Sequence, residues 1–287
     1  MRASKGEKIF YAANYAILTL CGIIALFPFL YIVSISVTPY VEVIRNGGFI
    51  IIPRQVSFEA YRQLLTETQL PHAFVNSVFI TVVATFFGLL ITIMAAFGLS
   101  KKSLYGRSTI LLYFVFTMFF SGGMIPTYLV VKSLGLLDSY AILILVGMVS
   151  VFNLLIVKGF MEGLPAELEE AATMDGASEP GMLVRIILPL SKPVIATIGL
   201  FYAVNYWNMY FEAILYVRDA SKLPLQPILQ QMLATPDQAD TINLSQYVPS
   251  ETMKMAAVVI TVIPVLLIYP FLQKHFTKGI LLGSVKG

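Results

Sequence analysis

The stretch "EEAATMDGASEPGMLVRIILPLSKP", Glu169 to Pro193, is a polar, punctuated segment in a chain of apolar runs. Just upstream, Pro165 suits the start of a helix, because its missing N–H would have no partner there. Glu167, Glu169 and Glu170 set negative charge against the positive end of the helix dipole. Leu168, Ala171 and Ala172 recur at i, i+3 and i+4 and make a narrow apolar stripe. Gly176 is placed to close the helix in a left-handed conformation within about three turns. Ser178 can cap a second helix, whose Met182, Leu183, Ile186 and Ile187 form one apolar face until Pro189 and Pro193 close it. Neither helix is long enough to cross a membrane, so the stretch reads as short helix, glycine turn and second helix near a membrane surface.

The rest of the chain is of another kind. Its 287 residues are 57% hydrophobic and 12% charged, with a mean hydropathy of +0.81, whereas soluble domains carry about 25% charged residues. This is the composition of an all-α polytopic membrane protein, in which each span must satisfy its own backbone hydrogen bonds. The net charge of +3 is accounted for by basic residues at one membrane face, and no nucleic-acid partner is expected. Cys21 is the single cysteine and sits in an apolar run, so it can form neither an intrachain disulfide nor a cysteine-rich metal site. His72 and His275 are isolated, and nothing supports a metal site, a hydrolytic triad or a catalytic residue.

A span needs about 20 predominantly apolar residues, and six segments approach or meet that length: 9–36, 74–99, 109–131, 141–157, 193–216 and 255–272. Tyr140, Lys158, Tyr269 and Lys274 flank the short fourth and sixth segments. Pro28, Pro126 and Pro264 fall inside spans and predict kinks. Counting Lys and Arg in the connections gives 12 on one side against seven on the other, which places both termini, residues 1–8 and 273–287, in the cytoplasm. The polar stretch then lies in an inner connection, 158–192, between spans four and five.

Within that connection the spacing E-A-A, three residues, G, nine residues, I, one residue, L-P is met by Glu170, Ala171, Ala172, Gly176, Ile186, Leu188 and Pro189. It resembles the EAA loop of the membrane subunits of binding-protein-dependent ABC importers. The likeness extends over nearly the whole chain, through "PFLYIVSISVTP" at Pro28 to Pro39, "YWNMYFEAILYV" at Tyr206 to Val217 and "GSVKG" at Gly283 to Gly287. These look like the carbohydrate-uptake branch, in particular its maltose-type second permease subunit with six spans. "KLPLQPILQ", Lys222 to Gln230, is further similar to a subgroup associated with complex or modified oligosaccharides.

The resemblance implies a non-catalytic permease subunit of a type I ABC importer in a bacterial cytoplasmic membrane. Its implied partners are a second related permease, two ATPase subunits, an extracytoplasmic substrate-binding protein, the lipid bilayer and a sugar or oligosaccharide. The chain has no G-x-x-x-x-G-K-[ST] of its own, so ATP and magnesium are expected at the partner ATPases and no cofactor on this chain. In the family the EAA helix docks on the ATPase. Glu170 is the residue expected to make the charged contact, with Ala171 and Ala172 permitting close approach and Gly176 setting the turn. Asp175 is either a second contact or a helix cap.

Candidates for the translocation path are Asn153, Asn205, Trp207, Asn208, Tyr210 and Glu212, since polar groups within spans face a bundle interior or a water cavity. The same amides and indole can instead lock helices together or sit at the interface. The outer segments 37–73 and 217–254 are long enough to receive a binding protein, and Phe58, Tyr61, Leu64 and Leu65 carry helical spacing suited to packing on the permease. An ion-coupled secondary transporter is the alternative, but it calls for carboxylates near the midplane, and Glu212 is the one carboxylate within a span. An intramembrane enzyme would need clustered acids, histidines or serines in facing spans, and a structural assembly protein would leave the EAA spacing unexplained.

Overall fold

The computed structural model describes the backbone of residues 5–234 and 250–283, and the side chains of Lys5, Lys8 and 269–283 are not described. The terminal "GSVKG" beyond Gly283, the middle of the second outer segment, and the flanking side chains of Tyr269, Lys274 and His275 therefore lie outside the described residues. Every described element is helical or a turn. Contacts divide the chain into two units, 1–71 with 229–263, and 72–228 with 264–287.

In the first unit, α1 (Lys5–Ser36) carries the first predicted span, and no residue of its most apolar window is buried among the described residues. Two short helices follow, α2 (Tyr40–Arg45) and α3 (Glu59–Glu67). A small core of Ile35, Val43 and Ile50 packs with Tyr31 and Met255, the latter from the opening turns of α15 (Glu251–Gly283). Tyr31 donates to the Gly48 carbonyl at 2.9 Å, and the Ser36 and Tyr61 hydroxyls meet at 2.8 Å. Leu64 is buried as its spacing predicts, but Phe58 and Leu65 are exposed, so only part of that stripe packs within the chain.

In the second unit, α4 (Leu70–Ser100) is the second long apolar helix. Next come α5 (Arg107–Phe119) and α6 (Met124–Ser133), bent by 112° across Phe120 to Gly123. The break precedes Pro126, which sits in the first turn of α6, where a missing N–H costs nothing; Gly123 makes the turn with φ +88°. The region of the fourth predicted span holds α7 (Tyr140–Leu145) and α8 (Val151–Glu162). The region of the fifth holds α12 (Lys192–Trp207) and α13 (Phe211–Tyr216). Among the described residues three helices are long and apolar enough to cross a membrane, and two bent pairs qualify as broken spans. The expectation of six continuous spans thus meets interrupted helices at three places. Apolar runs report hydropathy, which is insensitive to a four-residue break.

Between α8 and α12 lie α9 (Ala166–Met174), α10 (Glu179–Met182), a wide π turn over Leu183–Ile187 and α11 (Leu188–Leu190). A 3-10 turn at Ala220–Lys222 leads to α14 (Leu225–Ala234).

A break inside an apolar span frees backbone groups that lipid cannot satisfy. Two tyrosines one turn apart on α12 meet that need at the α7–α8 break. The Tyr206 hydroxyl lies 2.9 Å from the Ile144 carbonyl and 3.0 Å from that of Val146. The Tyr202 hydroxyl accepts the Ser150 N–H at 3.1 Å and forms a hydrogen bond with the Thr92 hydroxyl on α4 at 2.7 Å. Gly147 turns the break with φ +79°. Gly88 lets α4 approach: a Cβ there would stand 3.2 Å from the Tyr202 ring and 3.3 Å from the Met148 carbonyl.

Removing one hydroxyl should therefore destabilise the whole unit. Tyr206→Phe strands two carbonyls and is expected to cost about 1–3 kcal/mol, read as a lowered thermal midpoint of the detergent-purified protein. Tyr113→Phe, at an exposed ring, should leave the midpoint in place; equal midpoints for both variants would count against the pairing.

Candidate functional site

The polar connection folds as its residue types dictate. Pro165 stands at the N-cap of α9, with Glu167 and Glu169 in the first turn. Gly176 adopts φ +77°, its N–H donates to the Thr173 carbonyl at 3.0 Å, and the Ala177 N–H donates to the Ala172 carbonyl at 2.9 Å. That pair of bonds is the Schellman closure of a helix. Ser178 caps α10 by accepting the Gly181 N–H at 3.3 Å. Ala172 is buried, while Glu170, Ala171, Asp175 and Gly176 are exposed.

The helical path departs from expectation at Pro189. That residue does not end the second helix, because the π turn before it pairs the Leu188 N–H with the Leu183 carbonyl, five residues back. The chain bends by 84° only at Ser191, between α11 and α12.

Two ionic clusters hold this connection in place, and their long-range pairs left no sign in residue spacing. Lys101, one residue past α4, reaches Glu169 at 2.8 Å and Glu179 at 3.5 Å. Arg107, at the start of α5, pairs with Glu162, which Lys158 also contacts at 2.8 Å. Burial works to raise the Glu162 carboxyl, yet Lys158 and Arg107 overcome it and hold the group below the usual carboxylate range. Lys158–Glu162 is an i,i+4 helical pair, but the Lys101 and Arg107 pairings join residues 55 to 78 positions apart, beyond the reach of any periodic pattern.

The translocation-path candidates separate into three groups. Asn153 and Asn205 line one cavity of about 350 Å³, together with Gly147, Ser150, Tyr202 and the rings of Phe152 and Phe201. This size lies within the usual range for ligand sites, and the lining holds no charged side chain. It sits beside the α7–α8 break, and two residues that sequence reasoning passed over, Ser150 and Tyr202, supply its other polar atoms. Trp207 is buried elsewhere, edge-on to Phe74 with ring centroids 5.7 Å apart, and lines a separate apolar cavity with Leu200, Val204 and Pro264. Asn208, Tyr210 and Glu212 line neither cavity. The Asn208 amide donates to the Val204 carbonyl at 2.9 Å and accepts from Gln226 at 3.3 Å, tying the end of α12 to α14. Tyr210 is exposed, and Glu212 is half-buried in the first turn of α13.

Away from the Lys101 cluster, the connection before α7 is latched to the one after α13. Asp138, at φ +58°, accepts the Asp219 N–H at 3.0 Å and the Arg218 N–H at 3.1 Å, and Lys222 donates to its carbonyl at 2.9 Å. Asn76 adds bonds to the Ser221 and Leu223 carbonyls at 2.8 and 3.0 Å. Asn76 thereby ties α4 to the segment that follows α13. Among the described residues no group of three or more His, Cys, Asp or Glu can hold a metal ion.

Asp138 makes a pH prediction. The Asp219 and Arg218 N–H groups hold its carboxyl below the usual carboxylate range, so the charged latch contributes stability above that range and loses it as pH falls through the lowered folded-state value. Asp138→Asn keeps an acceptor and tolerates the positive φ but lacks the charge. Its thermal midpoint should trail that of the unsubstituted protein above about pH 4 and converge with it at lower pH.

Comparison with known proteins adds the following. The model of the family described as "Binding-protein-dependent transport system inner membrane component" matches residues 77–281. The polygalacturonan/rhamnogalacturonan transport system permease protein YtcP of Bacillus subtilis is 45% identical over 285 residues, 98% of this chain and 99% of the relative. Protein LplC of the same bacterium is 46% identical over 291 residues, 100% of this chain and 98% of the relative. A chain of a bacterial ABC transporter involved in import of the acidic polysaccharide alginate, solved by crystallography, superposes with a TM-score of 0.88 at 32% identity, covering 96% of this chain and 99% of that one.

Proposed function

Because this chain belongs to the family of binding-protein-dependent transport system inner membrane components, we propose that it forms half of the path by which an ATP-driven importer moves an acidic oligosaccharide. It is a multi-pass permease subunit of a sugar ABC importer, working with a second permease, ATPase subunits and a substrate-binding protein. The acidic character of the cargo is taken from the likeness to permeases for polygalacturonan/rhamnogalacturonan and for alginate. ATP and magnesium belong to separate ATPase chains, and both termini lie in the cytoplasm.

One observation carries the coupling reading. The connection bearing Glu170 and Gly176 ends on α8 and α12, and those two helices carry Asn153, Tyr202 and Asn205 of the polar cavity. A docked ATPase that shifts α9 therefore acts on the cavity walls through helices, with Glu170 as the charged contact, Ala171 on the exposed side, Ala172 seating the helix, and Asp175 and Gly176 forming the turn. Alternating access is the resulting transition. Asn153 and Asn205 offer amide hydrogen bonds, and Phe152 and Phe201 offer aromatic faces, to sugar hydroxyls and rings. The counter-charge for a uronate is left to the partner permease, since this lining is neutral.

The test is uptake of a labelled oligogalacturonate by the assembled transporter in proteoliposomes. Glu170→Lys and Gly176→Val should each abolish uptake while the permease still inserts; normal ATP-dependent uptake by both would sink the coupling reading. Uptake should survive collapse of proton and sodium gradients and stop on ATP depletion, whereas the opposite pattern marks an ion-coupled carrier. Asn205→Leu should raise the concentration needed for half-maximal uptake more than it lowers the ATP hydrolysis rate.

A further inference from the structure

We propose that the turn from Lys101 to Arg107 is a brace that makes the α9–α10 connection move as one body with the α4–α5 junction, and that Lys101 is its positioning residue. The proposal rests on the coupling reading of α9 given above.

The Lys101 ammonium clamps the two arms of the glycine turn. It holds Glu169 on α9 at 2.8 Å and Glu179 on α10 at 3.5 Å, so one cation spans the two helices on either side of Gly176. It also sits 4.6 Å from the centre of the Phe97 ring and 3.5 Å from the Met182 sulfur, and its side chain is only 18% exposed. A cation so placed is screened less than a surface lysine and is held by four groups at once. At the other end, Arg107 pairs with Glu162, the last residue of α8. Its Nε donates to the Leu99 carbonyl at 2.8 Å, which closes the turn on itself. The Leu104 N–H to Lys101 carbonyl bond at 3.2 Å and the Arg107 N–H to Leu104 carbonyl bond at 3.3 Å stiffen what lies between. One short turn thus binds three carboxylates, on α8, α9 and α10.

Consider the connection without it. The nine-residue α9, set between a proline and a glycine, would keep its covalent ends and the packing of Ala172 but would have no ionic tie to α4. Around Gly176 there is open space, with no atom within 4 Å of where a Cβ would stand. A push on Glu170 would be absorbed by pivoting at that glycine. With Lys101 fixing both arms of the turn, the push reaches α4 and α5 as well as α8 and α12. Glu169 and Glu170 then divide the work: the first is bound to the brace, and the second is exposed for the ATPase.

The experiment compares Lys101→Met with the charge exchange Lys101→Glu plus Glu169→Lys plus Glu179→Lys in the complete transporter. Oligogalacturonate uptake and ATP hydrolysis are measured on complexes recovered through a tag on the ATPase. Lys101→Met should lower uptake about tenfold, the scale on which coupling elements act, while ATP hydrolysis by the recovered complex persists. The exchange should restore most of the uptake, which a merely structural defect would not allow. As a second measurement independent of the sugar, spin labels at Ser103 and Thr173 should keep one narrow distance distribution with and without ATP, and a broad one in Lys101→Met. Full uptake and an unchanged distribution in Lys101→Met, with uptake still lost in Glu170→Lys, would overturn the brace alone. Full uptake in Glu170→Lys would instead overturn the coupling reading beneath it.

Discussion

Backbone N–H and C=O groups freed by a break in a membrane helix have no water to turn to, and each costs several kcal/mol if left unpaired. The α7–α8 break, at residues 146–150, is possible because α12 presents two tyrosine hydroxyls at its level. Tyr202 takes an N–H, Tyr206 approaches two carbonyls, and Thr92 on α4 completes the pairing of Tyr202. Three helices are thereby fixed around one irregular loop. The polar cavity follows from the same arrangement: where backbone leaves the helix, space opens, and Asn153 and Asn205 on the flanking helices line it.

Charge is kept apart from this region. The ion pairs of the second unit lie at helix ends and connections: Lys101 with Glu169 and Glu179, Arg107 and Lys158 with Glu162, and Lys222 with Asp138 and Asp219. A charge buried beside the cavity would need its own partner at a desolvation cost of several kcal/mol. Neutral amides and hydroxyls avoid that cost.

How much of this was readable depends on range. Gly176, Ser178 and the stripe through Ala172 act over three to five residues, so composition and spacing were enough to place the short helix, the turn and the cap. Asn153 and Asn205 stood out as amides in apolar runs, and they do share a cavity, whereas Trp207 stood out equally and belongs to an apolar one. Nothing local separates the two outcomes, because the direction of a side chain is decided by which neighbouring helix packs there. The breaks were hidden for a related reason. "ILILVGMVSVFNLLIV", residues 142–157, keeps its hydropathy through the interruption, and only Gly147 and Ser150 hint at it. The ionic ties from Lys101 and Arg107 were invisible, since opposite charges at a separation of 55 or more residues carry no periodic signature.

The bend at Ser191 shows how a connection can turn sharply at a membrane edge with little loss of hydrogen bonding. Two prolines bracket it. Pro193 falls in the first turn of α12, where no donor is missed, and Pro189 follows a π turn that has already moved the ladder to a five-residue step. The Ser191 N–H still reaches the Ile187 carbonyl at 2.9 Å, and the Ile195 N–H reaches the Ser191 carbonyl at 3.0 Å, so the chain stays bonded on both sides of the 84° change in direction. A junction that is bonded on both flanks behaves as an elbow with a set angle. The helix that leaves this elbow, α12, carries the two tyrosines on which the α7–α8 break depends.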